Sequence, residues 1–199
     1  MLYINLVAYQ IDLYYAWQKV FQGISNVIVV DGDILKQKAD ALVSPSNSFG
    51  YMDGGLDLKI SETLGWHIEE QVREVLLKNH YGELPVGQAI IVPTQHTQFP
   101  YLISAPTMRV PMDVSNTVNA YLAFKAVLQA VEQFNQKNSY AIKSIACPGL
   151  GTGEGKMPAL LCAKQMRAAY DVVMNKQILT EGGLASAVRN HMQLIDEQA

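Results

Sequence analysis

The chain has 199 residues, a formal charge of −3 and 49% hydrophobic residues. That length suits one domain with extensions, and the apolar fraction is enough for a substantial core. The charge balance gives no broad basic field, which counts against non-specific nucleic-acid binding. No apolar run approaches the roughly 20 residues of a membrane span.

Leu2 to Ala8 reads as a strand. Ile11 to Phe21 has helical spacing through Leu13, Trp17, Val20 and Phe21, and Gly23 and Asn26 break it. This opening stretch lacks a basic n-region and a small-residue cleavage site, so no signal peptide is expected. Val27-Ile28-Val29-Val30 predicts a buried strand, stopped by Asp31-Gly32-Asp33. Asp33 to Asp40 is a short connector with room for one helical turn. Ala41-Leu42-Val43 is a second strand, closed by Pro45 because proline donates nothing to a sheet ladder. A polar, Gly-rich loop runs on to Asp57.

Two helical pieces, Leu56 to Leu64 and Ile68 to Asn79, meet at Gly65; Val72, Val75 and Leu76 give the second an apolar stripe. Ala89 to Pro93 and Tyr101 to Pro106 are strands, each ended by its proline, with Thr94-Gln95-His96 as a turn between them. Thr107 to Val114 is a loop carrying Arg109. Ser115 or Asn116 is placed to cap a helix running to about Lys137. Ala141 to Cys147 is the last clear strand and leads into Pro148-Gly149-Leu150-Gly151-Thr152-Gly153-Glu154-Gly155. A helix follows from about Pro158 to Met174, and Leu184 to Ile195 forms a terminal one. The alternation of strands and helices argues a three-layer α/β domain with a mostly parallel, buried sheet.

The two Gly-rich loops follow strands, where α/β folds bind ligands. Glycine lets a backbone approach an anion and aim successive N–H groups at it, so the pair suits a diphosphate; each also serves as a plain tight turn. Neither loop is a P-loop, for no Gly-Lys-Ser/Thr follows, and the dinucleotide fingerprint is not matched. Asp33 is placed to accept from an exocyclic amino group such as that of adenine, or to cap the turn at Lys36, the favoured reading. Asn47 suits ribose hydroxyls or a water, or an Asx-turn after Pro45. Asp57 suits a general base or water-orienting group, or simply favours a helix N-terminus. Phe49 and Tyr51 suit stacking or loop anchoring. His67, His80, His96 and His191 are scattered, so no metal site is expected. Cys147 and Cys162 form no CxxC, which points to a reducing, cytoplasmic compartment.

Four segments together resemble a macro domain, the ADP-ribose-binding α/β/α module. Gly32-Asp33-Ile34 is similar to the family's GDI turn, and Val43-Ser44-Pro45-Ser46-Asn47 to its VNAAN segment, with the final Asn kept. Asp53-Gly54-Gly55-Leu56-Asp57 resembles the GGGVD segment, and Gly149-Leu150-Gly151-Thr152-Gly153 the second phosphate loop. The resemblance implies a three-layer α/β/α fold with a central mixed, mostly parallel sheet over residues 1–174. Residues 175–199 are left as a helical extension packed on the same domain.

The resemblance also implies roles. Asp33 accepts from the adenine amino group with the Ile34 backbone nearby, and Asn47 contacts the distal ribose. Gly54, Gly55, Gly149, Leu150, Gly151, Thr152 and Gly153 cradle the diphosphate. Asp57, with Asn47, stands where hydrolytic members carry catalytic residues that position the attacking water. No cofactor is implied. Ser44 departs from the family's first Asn, Tyr51-Met52-Asp53 stands where many members carry more glycine, and Thr152-Gly153-Glu154 replaces a frequent aromatic. The readings that follow are an ADP-ribosyl-ester hydrolase or a non-catalytic reader of ADP-ribose or ADP-ribosylated partners. Two more remain beside them: a single-stranded nucleic-acid or poly(A) binder, which the acidic charge counts against, and a phage-type accessory protein that keeps only the fold.

Overall fold

Alternate residues of each central strand feed opposite cores, which is why these strands read as unbroken apolar runs. The structure, a computed structural model, describes residues 1–139, 141–179 and 181–196. Among these, strands β1 (Tyr3–Ala8), β2 (Val27–Asp31), β3 (Ala41–Ser44), β4 (Ile90–Pro93), β5 (Tyr101–Ser104) and β6 (Ser144–Cys147) form one sheet in the order β2-β1-β6-β3-β5-β4. Neighbours are parallel except β4, which runs antiparallel to β5. Val43, Ile103 and Ile145 face a core shared with helices α1 (Ile11–Val20), α4 (Asn119–Lys137) and α5 (Ala159–Met174). Leu42, Leu102 and Ala146 face a second core shared with α2 (Gly55–Leu64) and α3 (His67–His80). Helices thus cover both faces, and the architecture is the expected three-layer α/β/α fold with a mixed, mostly parallel sheet.

Two element starts differ from the sequence reading, for a shared reason: side chains capture the backbone first. Helix α4 begins at Asn119 rather than near Ser115. Asp113 accepts from the Ser115 N–H, Thr117 Oγ1 donates to the Val114 carbonyl, and Asn119 Nδ2 reaches back to the Thr107 carbonyl. Strand β6 begins at Ser144 rather than Ala141. Asn135 takes both the N–H and the carbonyl of Ile142, and the Asp40 carboxylate takes the N–H groups of Lys143 and Ser144.

The terminal helix α6 (Gly183–Ile195) buries Leu194, whose carbonyl accepts from Gln165 Nε2 on α5 at 2.8 Å. Thr180 and residues 197–199 of the expected extension lie outside the described residues.

Candidate functional site

Strands β2, β1, β6 and β3 run parallel, so the turns after them emerge along one edge of the sheet in that order. Asp33 follows β2, Tyr9 follows β1, Gly149–Gly155 follow β6, and the loop to Asp57 follows β3. Adjacent strands lie about 4.8 Å apart, so β2 and β3 are separated by about 14 Å.

At the β2 end, Asp33 has extended backbone and its Oδ1 accepts from the Leu35 N–H at 2.9 Å. It caps a 3₁₀ turn, Ile34–Lys36, whose Ile34 side chain is buried. The residue is exposed, and among the described residues no side chain bonds its carboxylate. Beside it lies a residue that the sequence reading missed. The Ala8–Asp31 register and the Gly32 N–H to Ala8 carbonyl bond of 2.9 Å set Tyr9 alongside Gly32. The Tyr9 ring is exposed, and Lys59 Nζ sits 5.4 Å from its centroid. Its signal was the aromatic placed directly after a strand that otherwise ends in small and aliphatic residues.

The loop after β6 is held by backbone and packing. The Met157 N–H bonds the Gly151 carbonyl at 2.9 Å, and the Val114 N–H bonds the Gly155 carbonyl at 2.8 Å. Gly151 has φ +75°, a left-handed conformation that disfavours any side chain. Leu150 is buried, Thr152 is half-buried, and Gly153 stands in open space.

The loop after β3 is held by backbone bonds, from the Ser48 N–H to the Arg109 carbonyl at 3.1 Å and from the Leu84 N–H to the Ser48 carbonyl at 2.8 Å, and by polar side chains. Asn47 Oδ1 accepts from the N–H groups of Phe49 and Tyr51 at 3.0 and 3.4 Å, and its Nδ2 donates to the Tyr51 carbonyl at 2.8 Å. The side chain thus closes its own turn as an Asx-turn after Pro45. The Met52 N–H donates to Glu69 Oε2 at 2.7 Å, and Ser61 Oγ donates to the Met52 carbonyl. Gly50 lies so close to α3 that a Cβ there would stand 2.8 Å from Val72 Cγ1. Phe49 and Tyr51 each carry a guanidinium, Arg109 at 5.2 Å and Arg73 at 4.4 Å from the ring centroids. Arg109 is also bidentate on Glu83. Gly54 caps α2 without a side chain, Gly55 begins it, and both lie in open space.

Asp57 sits in the first turn of α2 and is only 6% exposed. Ser44, fully buried at the end of β3, donates its hydroxyl to Asp57 Oδ1 at 2.7 Å. Burial pushes the Asp57 carboxyl up to about 7; the Ser44 hydrogen bond pulls it down and the nearby Glu69 charge pushes it up. A carboxyl poised there exchanges protons near neutrality, as a general base requires. Asn47 and Asp57 share a loop, yet their side chains bond different partners.

Among the described residues no group of three or more His, Cys, Asp or Glu side chains is placed to hold a metal ion. No described helix is long and apolar enough to cross a membrane. A cleft of about 350 Å³ lined by Gln18, Gln22, Ser25 and Val27 lies at the other end of the sheet, before β2, and no titratable side chain lines it.

These features define an α/β/α domain with paired glycine loops at the carboxyl edge of its sheet. The sequence model of the Macro domain family matches residues 43–166, and the chain belongs to that family. A protein of Aquifex aeolicus is 33% identical over 141 residues, covering 71% of this chain and 78% of the relative. Among solved structures, the macrodomain of Mycobacterium tuberculosis DarG superposes with a TM-score of 0.59 at 21% identity, covering 70% of this chain and 86% of that one. An Oceanobacillus iheyensis macrodomain variant with ADPR superposes with a TM-score of 0.54 at 22% identity, covering 68% and 72%.

Proposed function

We propose that the chain binds ADP-ribose, free or attached to a partner, along this sheet edge, and hydrolyses ester-linked ADP-ribose there. The observation that carries the reading is the order of the loops. From β2 to β3 the edge presents an acceptor beside an aromatic ring, then a glycine loop, then a second glycine loop with a buried carboxyl. This is the order of base, diphosphate and distal ribose in ADP-ribose. The ADPR held by the Oceanobacillus iheyensis macrodomain variant supports the same ligand.

In this reading the free oxygen of Asp33 accepts from the adenine amino group next to Ile34, and Tyr9 offers the base a ring face. The N–H groups around Gly54, Gly55 and Gly149–Gly153 meet the phosphates. Asn47 acts by holding the loop against which the distal ribose rests. Asp57 takes a proton from water as the water oxygen bonds to the anomeric carbon. The bond from that carbon to the ester oxygen breaks, and the carboxylate leaves with the electron pair. The free, buried thiols of Cys147 and Cys162 fit a reducing, cytoplasmic setting.

Calorimetry with ADP-ribose, AMP and poly(A) tests binding. Saturable ADP-ribose binding tighter than AMP is expected, and Asp33→Ala should weaken it by about 1–3 kcal/mol, the cost of an unpaired polar group. Binding of poly(A) alone sinks the reading. Release of ADP-ribose from a peptide modified on a glutamate side chain tests hydrolysis, and Asp57→Asn should abolish release while keeping affinity. A non-catalytic reader is the second reading. The low exposure of Asp57 and the commitment of Asn47 to its own loop favour it.

A further inference from the structure

We infer that Ser44 is a positioning residue for Asp57: from the end of β3 its hydroxyl grips one carboxylate oxygen and so fixes both the aim and the charge of that group. The inference rests on the hydrolytic reading for its effect on rate, but the grip itself is a property of the fold.

Ser44 cannot drift. Its residue pairs with Ser104 in the β3–β5 ladder, and its carbonyl accepts from the Ala105 N–H at 3.1 Å. An ionised carboxylate only accepts, so the 2.7 Å contact has the serine hydroxyl as donor. The neighbouring hydroxyls offer no substitute, because Ser46 Oγ and Ser104 Oγ bond each other at 2.8 Å. If the Asp57 side chain rotated away, it would strand a buried hydroxyl, a cost that holds the carboxylate at the seam between sheet and helix. Among the described residues, Glu69 on α3 is the charged group that acts on Asp57. Glu69 is itself fixed by the Met52 N–H at 2.7 Å and by Arg73 at 3.7 Å. The carboxyl of Asp57 is therefore balanced between a donor on the sheet, which favours the charged form, and burial with a like charge on α3, which favours the neutral one.

The test follows the Asp57 carboxyl by carbon-13 NMR in aspartate-labelled protein from pH 4 to 9, assigned with Asp57→Asn. It compares the wild type with Ser44→Ala, Ser44→Thr and Glu69→Gln. Turnover of the glutamate-ADP-ribosylated peptide is measured in parallel. Ser44→Ala should raise the midpoint by about one pH unit, the usual scale for a hydrogen bond to a charged group. Turnover at pH 7 should then fall about fivefold and recover near pH 8.5, because the ionised fraction of the base sets the rate. Ser44→Thr, which keeps the hydroxyl, should restore the wild-type midpoint, and Glu69→Gln should lower it. An unmoved midpoint in Ser44→Ala overturns the inference, as does a turnover loss equal at every pH, which marks damage to the fold alone. Wild-type protein that binds ADP-ribose but releases none from the peptide overturns the hydrolytic reading instead, and the midpoints still decide the grip.

Discussion

The two glycine-rich loops look alike in sequence, and both are tied by backbone bonds and packing, but only the loop after β3 adds ionisable side chains to its restraints. Backbone bonds and tight packing hold the loop after β6: Gly151 accepts from Met157, Gly155 accepts from Val114, and a Cβ on Gly155 would stand 2.6 Å from the Gly151 carbonyl oxygen. The loop after β3 has backbone bonds too, from the Ser48 N–H to the Arg109 carbonyl and from the Leu84 N–H to the Ser48 carbonyl, but side chains add to them: Asn47 closes it, Glu69 and Ser61 grip Met52, and Ser44 holds Asp57. A loop held by backbone responds to added volume. A loop held in addition by ionisable side chains responds also to pH and to single polar deletions. Similar composition thus hides a rigid wall on one side of the edge and a titratable one on the other.

The largest effect expected from this contrast is a pH-dependent stability cost at Asp57. Its carboxyl is raised from 3.8 to about 7 in the fold, so between those values the native state keeps a proton that the unfolded chain releases. Stability from this group is therefore full below about pH 4 and is lost as pH rises through 7, by about 4 kcal/mol for a three-unit shift. Asp57→Asn should remove the dependence. Urea denaturation should find the variant more stable than wild type at pH 8.5, with the gap closing toward pH 4. A gap that does not change with pH rules out the raised carboxyl.

The rigid loop should respond next. Gly155→Ala should cost about 1–3 kcal/mol by overpacking, because the added Cβ meets the Gly151 carbonyl oxygen and Val114 Cγ2, each at 2.6 Å, and the first is backbone and cannot move aside. Gly153→Ala, in open space, should leave urea stability unchanged. Equal losses in the two variants would falsify the steric account.

Glu69→Ala probes the titratable wall more gently. At pH 5 the Met52 N–H loses a charged acceptor, at a cost of about 1.5 kcal/mol. At pH 8 the same deletion also relieves Asp57 of a like charge, so the loss should be smaller. A loss that grows from pH 5 to pH 8 breaks the link between Glu69 and Asp57.

The sequence made the layers legible because buried parallel strands leave apolar runs and the helices leave stripes such as Val72 and Leu76. The same kind of run misled at β2, which is not the expected buried strand: it lies at the sheet edge, half-buried, with Ile28 exposed. The glycine loops and Asp57 were legible as types. Their restraints were not, since these depend on contacts between distant elements. The Ser44–Asp57 bond joins a strand end to a helix start 13 residues later, and Glu69 reaches back 17 residues to Met52. Tyr9 joins Gly32 only through the register of β1 and β2. Asn135 and Asp40 shortened β6 by taking backbone groups that periodicity assigns to the ladder.

Tyr9 gives the smallest stability effect and separates base recognition from fold. The residue is 81% exposed, and its ring meets the Lys59 ammonium outside the core. An exposed cation–π contact contributes about 0.5 kcal/mol, so Tyr9→Ala should barely move the urea midpoint. If the ring faces the base, the same variant should weaken ADP-ribose and AMP together and leave ribose 5-phosphate binding as it was. If the glycine loops meet the phosphates, Gly153→Ala should give a different pattern: weaker binding of all three ligands. Calorimetry with these three ligands on both variants therefore resolves the edge into a base end and a phosphate middle. If Tyr9→Ala weakens ribose 5-phosphate as much as AMP, the β1 end takes no base, and the assignment of Asp33 to adenine falls with it.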